Sequence, residues 1–147
     1  MLKASRLAML TMMLLELGCK SVQPSELPGS WLMTDSSRQV VPSQLQKASA
    51  RIALYPNGTF VASDMPALFF FPGHCEARLE SGTGVWKVVS IEGQQQVQLN
   101  FQTIADWNKT DLPYGTQLNI STGWSKVSLY YFIGDPDEGR MIEFERK

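Results

Sequence analysis

Strict alternation of apolar and polar residues is the feature that most constrains how this chain can fold. The stretch QVQLNFQ at residues 96–102 has three apolar residues on one face and four amides on the other. A period of two residues is typical of a β-strand with one buried face. The same alternation returns in residues 117–121 and 141–145, and no long stretch has the 3.6-residue period of a helix. The sequence therefore predicts an all-β domain.

Turn residues separate the apolar stretches. Asn57-Gly58 lies between two of them, and this pair tolerates the positive φ that a tight hairpin requires. Glu92-Gly93 and the stretch DPDEG at residues 135–139 separate others. The segment from residue 36 to 49 is polar and is expected to hold one short helix or a long loop. We predict about eight strands, centred near Trp31, Ile52, Phe60, Val85, Val97, Leu118, Leu129 and Phe144.

Eight short strands, each with one apolar face, have two common arrangements. One is a closed antiparallel up-and-down barrel, and the alternative is a two-sheet β-sandwich. Closure removes exposed sheet edges, so the barrel is favoured. The length of 147 residues fits one domain, assigned to residues 29–147. The side chains expected inside are large, which favours a filled interior: Trp86, Val88, Val97, Leu99, Phe101, Leu118, Ile120, Ile142 and Phe144.

The first eighteen residues have the features of a signal peptide. Lys3 and Arg6 precede an apolar stretch that ends at Leu15, which is too short to span a bilayer as a helix. Leu17-Gly18-Cys19 then resembles a bacterial lipobox, with Glu16 where that family prefers leucine. The resemblance implies cleavage before Cys19 and acylation of its thiol, with residues 19–28 as a tether. A secreted form and a retained N-terminal helix are the alternatives.

Composition argues against several classes of function. The net charge is −1 without a basic run, which argues against a nucleic-acid binder. One His and two Cys are too few for a zinc finger or a disulfide scaffold. His74-Cys75-Glu76 is the one cluster of reactive residue types, and neighbours in an extended segment point to opposite faces. We therefore expect no enzyme activity, no cofactor and no bound metal, and an unrecognised hydrolase is the remaining alternative. If Cys19 is not acylated, a disulfide with Cys75 becomes an option.

Two Gly-x-Trp motifs open predicted strands, at residues 29–31 and 84–86. The first resembles the Gly-x-Trp that opens lipocalins. In that family the Trp closes one end of the barrel, and an Arg from the last strand often covers it. The resemblance implies that Trp31 and Arg146 form such a structural pair, with Arg140 as a weaker candidate.

Residues 26–147 also resemble a group of uncharacterised bacterial exported proteins. The resemblance is carried by the hairpin NGTF at residues 57–60, the second Gly-x-Trp and the string YYFIGDPD at residues 130–137, followed by Arg140 and Phe144. It implies a lipocalin-like fold and an exported location, and it implies no activity.

Two loops are candidate functional sites. The apolar stretch ALFFFP at residues 67–72 has prolines on both sides, which disfavours a central strand. It is interpreted as a lid over a small apolar cavity, a plug or partner contact, or an edge strand buried by a neighbouring loop, and its candidate residues are Phe69, Phe70, Phe71 and His74. The second loop is acidic and includes Asp135, Asp137, Glu138 and Arg140. A structural hairpin, with Gly139 in the left-handed region, is favoured there over a cation site.

These observations predict a non-enzymatic lipoprotein of the bacterial cell envelope. It is expected to be anchored to the membrane through Cys19, to face the periplasm or the exterior, and to bind a small apolar ligand or an envelope protein. A filled interior favours the protein partner. The alternative is a periplasmic hydrolase inhibitor or an immunity-type protein that acts through one of the two loops.

Overall fold

Eight strands form one closed antiparallel barrel in the computed structural model, which describes residues 21–70, 77–123 and 126–147. Each strand pairs with the next along the chain, and the last closes on the first. The predicted up-and-down barrel is confirmed, and the sandwich alternative is wrong. The strands are β1 (Gly29–Met33), β2 (Arg51–Leu54), β3 (Thr59–Pro66), β4 (Leu79–Ile91), β5 (Gln94–Ile104), β6 (Tyr114–Thr122), β7 (Val127–Phe132) and β8 (Met141–Arg146).

The helices in the described part of the chain are all short 3₁₀ helices, which lie before β1 or between strands. The polar segment between β1 and β2 holds two of them, Ser37–Gln39 and Ser43–Leu45. The others are Pro24–Glu26, Ala67–Phe69, Lys109–Asp111 and Pro136–Glu138. Among these residues no helix has the length and apolar character needed to cross a membrane.

The alternating strand directions give the barrel two ends. The Trp31 end holds residues 21–28 and the turns that join β2 to β3, β4 to β5 and β6 to β7. The Phe70 end holds the connections that follow β1, β3, β5 and β7. The two Gly-x-Trp tryptophans lie towards the first end, and the predicted lid and the acidic loop both lie at the second.

Large side chains fill the interior of the barrel. All of the residues expected inside are buried except Val88, which is half-buried and packs against the core. Phe60 and Phe101 meet edge to face across the interior, with 4.8 Å between their ring centroids. An eight-stranded barrel has an interior just wide enough to be filled by side chains or to hold one small ligand. Among the described residues, side chains occupy this interior, and the largest fully buried ones are Trp31, Phe60, Phe69, Phe101, Phe144, Leu27, Ile52, Leu54, Met65, Leu99, Leu118 and Leu129.

The second Gly-x-Trp motif holds β4 close to its neighbours. A Cβ on Gly84 would lie 2.0 Å from the carbonyl oxygen of Asn100, so only glycine fits at this point of the β4–β5 pair. Trp86 follows on the inner face, and its indole N–H donates to the carbonyl of Tyr55 at 2.9 Å. The motif therefore ties the β2–β3 turn to β4.

Candidate functional site

The Trp31 end is closed by an aromatic–cation pair. Trp31 is fully buried, and the guanidinium carbon of Arg146 lies 4.9 Å from the centroid of its ring. The indole N–H donates to the carbonyl of Leu27 at 3.0 Å, while Arg146 donates to the carbonyl of Glu26. Gly29 has a φ of +149°, and a Cβ there would lie 3.4 Å from the Arg146 side chain. The structure thus brings together the two residues that the lipocalin resemblance paired.

Residues 22–28 are docked on the barrel, which differs from the expected tether. Val22 is 2% exposed and Leu27 is fully buried. The amide group of Gln95 clasps the backbone of Val22, accepting from its N–H at 2.7 Å and donating to its carbonyl at 3.0 Å. The sequence suggested a tether because the segment is polar and contains prolines, but its two apolar residues cap the open end of the core. Cys19 itself lies outside the described residues.

The Phe70 end is closed by a plug, which we define as residues 67–70. Phe69 and Phe70 are buried, and the short helix Ala67–Phe69 directs both rings into the barrel end. Phe69 packs on Tyr131, with ring centroids 5.1 Å apart. Of the alternatives for this stretch, the plug matches these two residues, and an exposed lid or partner contact does not. The edge strand is wrong, because residues 67–69 form a short helix after β3 ends at Pro66. Phe71, His74 and Cys75 lie outside the described residues.

Two tyrosines border the plug and hold it in place. The Tyr114 hydroxyl donates to the carbonyl of Phe70 at 2.7 Å. Burial raises the pKa of both Tyr114 and Tyr131 above the ordinary value of 10.0, because a phenolate is poorly solvated there. A second, smaller cause at Tyr131 is the charge of Tyr114. Both phenols are therefore neutral at physiological pH.

A buried carboxylate at the Phe70 end of the barrel is paired with an exposed arginine. Glu80 is 4% exposed, and its carboxylate lies 2.6 Å from the guanidinium of Arg78, which is half exposed. A buried carboxylate is stable only with such a partner. Within the described residues, no group of three His, Cys, Asp or Glu side chains is arranged to hold a metal ion. Glu80 therefore has a structural explanation.

An apolar cleft opens at the Phe70 end beside the plug. It has a volume of about 590 Å³. Trp107 forms one wall, half-buried and packed on Phe70 and Tyr114 with ring centroids 5.8 and 5.5 Å apart. The cationic Lys109 is its one charged lining residue among those described. The full lining is Gln102, Thr103, Ile104, Trp107, Lys109, Leu112 and Pro113. We call it the Trp107 cleft.

A second cleft lies in the wall of the barrel, beside the first half of β6. Pairing between β6 and β7 covers only residues 119–122 and 127–130, so the first half of β6 has no strand on that side in the described chain. The cleft there has a volume of about 400 Å³, and its lining offers both hydrogen-bonding and apolar groups. Its lining is Gln96, Gln98, Gly115, Thr116, Gln117, Asn119, Tyr131 and Phe132.

The acidic loop is a rigid, exposed hairpin. The Asp135 carboxylate accepts from the backbone N–H of Asp137 at 2.9 Å. Gly139 has a φ of +65°, as the turn chemistry predicted. Asp137, Glu138 and Arg140 are exposed, so the hairpin presents charge to solvent in a fixed backbone conformation.

Sequence reasoning found both loops but not the clefts. Trp107 was recognisable as a loop tryptophan of the kind enriched at binding surfaces. The other walls of its cleft come from the end of β5 and from residues 109–113, which only the fold brings together. The two hydrogen bonds between Gln95 and the backbone of Val22 were also not predicted, because an amide side chain on an alternating strand does not indicate which residue it will bind. The chain matches no protein-family model, no curated protein and no solved structure.

Proposed function

We propose that this protein is a non-enzymatic lipoprotein of the bacterial envelope that binds a protein partner on the outside of its barrel. Cys19 carries the lipid anchor, and the Trp107 cleft receives an apolar segment of the partner. The observation that supports this most directly is the filled interior: the core holds large side chains, Trp31 and Arg146 close one end, and the plug closes the other.

The Trp107 cleft fits a side chain of a partner better than a free small molecule. Small-molecule sites usually enclose most of the ligand surface, whereas this cleft opens on the surface of the barrel end. Aromatic residues in partly buried pockets are typical anchors of protein–protein interfaces. Lys109 lies on the lining and favours a partner segment that places a carboxylate next to its apolar residue.

Photo-crosslinking in cells tests the cleft. Benzoylphenylalanine at Leu112 should form an adduct with one protein, whereas the same group at the exposed Val85 on the barrel wall should not. Trp107→Ala should abolish the adduct while leaving the thermal unfolding transition in place. The captured protein should then bind the purified lipoprotein, and Trp107→Ala should weaken that affinity at least tenfold. Identical adducts at both positions, or adducts unchanged by Trp107→Ala, would refute the cleft as the binding site.

The anchor has its own test. The intact protein isolated from bacterial membranes should carry the mass of acyl groups on a chain that begins at Cys19. Cys19→Ala should release the protein from the membrane fraction. An unmodified Cys19 joined to Cys75 in a disulfide would refute the anchor and leave the folded barrel unaffected.

A second candidate function, a hydrolase inhibitor or immunity-type protein, is favoured by the acidic hairpin. Its backbone is fixed by the Asp135 cap and by Gly139, so its charged side chains bind without a large ordering cost. Asp137→Asn with Glu138→Gln should then abolish partner binding, and Trp107→Ala should not. The opposite pattern supports the Trp107 cleft, so the two variants separate the two functions. The plug cannot serve as the inhibitory contact through Phe69 or Phe70, because both are buried.

A further inference from the structure

We infer that the Trp31 end of the barrel lies against the lipid headgroups, so that the Phe70 end faces away from the membrane. The inference rests on the proposed acylation of Cys19 and adds to it the orientation of the whole domain. It follows from the place where the docked chain begins.

The tether between the anchor and the barrel is very short. Val22 is already fixed, because it is buried and its backbone is bonded twice to Gln95. Only three residue steps separate it from Cys19, and three extended steps span at most about 11 Å. The nine-residue strand β6 rises about 30 Å along its axis, and a tilt of about 40° leaves roughly 23 Å between the two ends. The tether is therefore too short for the barrel to stand on the bilayer with its Phe70 end towards the lipid.

The surface of the Trp31 end suits a lipid interface. Tyr55 in the β2–β3 turn is 45% exposed, and Ile91 at the tip of the β4–β5 hairpin is 41% exposed. Tyr is a residue that partitions readily between apolar and wet surroundings. The cation Lys126 is paired with Glu145 at 2.5 Å, and the other exposed charges at this end include both an acid, Glu92, and a base, Lys147. Contact with the bilayer is thus expected to depend on apolar groups and the anchor, and little on anionic lipid.

The opposite end carries the features proposed to bind a partner. The Trp107 cleft and the acidic hairpin both belong to connections at the Phe70 end. With the Trp31 end against the membrane, both point away from the lipid surface, where a partner can reach them.

Fluorescent labels on single cysteines test the orientation. The acylated protein, with Cys75→Ala to remove the other thiol, is reconstituted in vesicles that contain a lipid with a nitroxide headgroup. An environment-sensitive dye is placed at Tyr55→Cys or Ile91→Cys, and at Leu79→Cys or Met141→Cys as matched controls. Leu79 and Met141 lie at the Phe70 end and are 38% and 40% exposed, so they match the test positions in exposure and apolar character. Quenching should be at least threefold stronger at the two test positions.

A longer tether tests the cause. An insertion of about fifteen Gly and Ser residues after Lys20 extends the reach of the tether beyond the height of the barrel. It should reduce the difference in quenching between the two ends to less than half of that in the protein without the insertion.

Each outcome decides the inference. Equal quenching at both ends of an acylated protein, or stronger quenching at Leu79 and Met141, would overturn the orientation and leave the anchor standing. If the insertion leaves the difference in quenching between the two ends unchanged, the short tether is not the cause of the orientation. A Cys19 that proves unmodified in cells would overturn the proposed anchor and the orientation together, and the mass of the intact protein detects this case separately.

Discussion

Removing the Phe70 ring should destabilise the protein strongly, because the plug is part of the core. Phe70 is 2% exposed and makes four ring contacts, with Phe69, Phe101, Trp107 and Tyr114, at centroid distances from 5.1 to 5.8 Å. Truncation of a buried Phe to Ala typically costs roughly 3–5 kcal/mol. A domain of this size has a total free energy of unfolding of about 5–15 kcal/mol, so Phe70→Ala should leave a folded but much weakened protein.

Urea titration followed by tryptophan fluorescence and by far-UV circular dichroism measures this loss. Phe70→Leu keeps most of the buried apolar volume and loses the ring contacts, so its loss should be well below that of Phe70→Ala. Tyr114→Phe removes the hydrogen bond to the Phe70 carbonyl and should cost roughly 1 kcal/mol. If residues 67–70 formed an exposed lid, Phe70→Ala would change the free energy of unfolding by no more than about 0.5 kcal/mol. A measured loss below about 1 kcal/mol would refute the plug.

Three further changes test other parts of the account. Gly84→Ala should lower the free energy of unfolding, measured by urea titration, by roughly 1–3 kcal/mol or more, because its Cβ would lie 2.0 Å from the Asn100 carbonyl oxygen. Gly115→Ala is the control and should lower it much less, because its Cβ would meet only a side chain, at 3.2 Å. Equal losses in the two variants would contradict the close approach of β4 and β5 at Gly84. Arg146→Ala should lower the free energy of unfolding by about 1–2 kcal/mol, because it removes the contact with Trp31. The control Arg140→Ala, at an exposed position, should lower it by about 0.5 kcal/mol or less. Because burial raises the folded-state pKa of Tyr114 and Tyr131 above 10.0, the unfolded chain loses these protons first. The free energy of unfolding should therefore be unaffected by them below about pH 10 and fall as pH rises above it. The Tyr114→Phe, Tyr131→Phe double variant should flatten this fall and Tyr55→Phe should not; an equally steep fall in the double variant would contradict the assignment.

The barrel could be predicted from the sequence because its signals are local. Alternation such as that of residues 96–102 and turns such as Asn57-Gly58 depend on neighbours in the chain. The docking of Val22 on Gln95 could not be predicted from the sequence, because a contact between residues 73 positions apart leaves no periodic signal. The prolines around residues 67–71 disfavoured a central strand but left an edge strand open, and the edge strand is wrong because residues 67–69 form a short helix. They could not show that a short helix would turn both rings into the core.

The Trp107 cleft illustrates the same limit at the candidate site. Its walls come from the last residues of β5 and from the loop before β6, and each part alone is an ordinary surface segment. The acidic loop was predictable as a hairpin, because its Asp, Pro and Gly specify the turn locally. Sequence reasoning therefore located the two loops, while the fold determined which of them forms part of the core.

Native mass spectrometry of the protein purified gently from its membrane tests the central claim, a filled barrel that binds on its outside. The account predicts the mass of the acylated chain alone, unchanged after exposure to a panel of fatty acids and haem. A bound small molecule that leaves on denaturation, and that the Trp107→Ala variant retains equally well, would contradict the account.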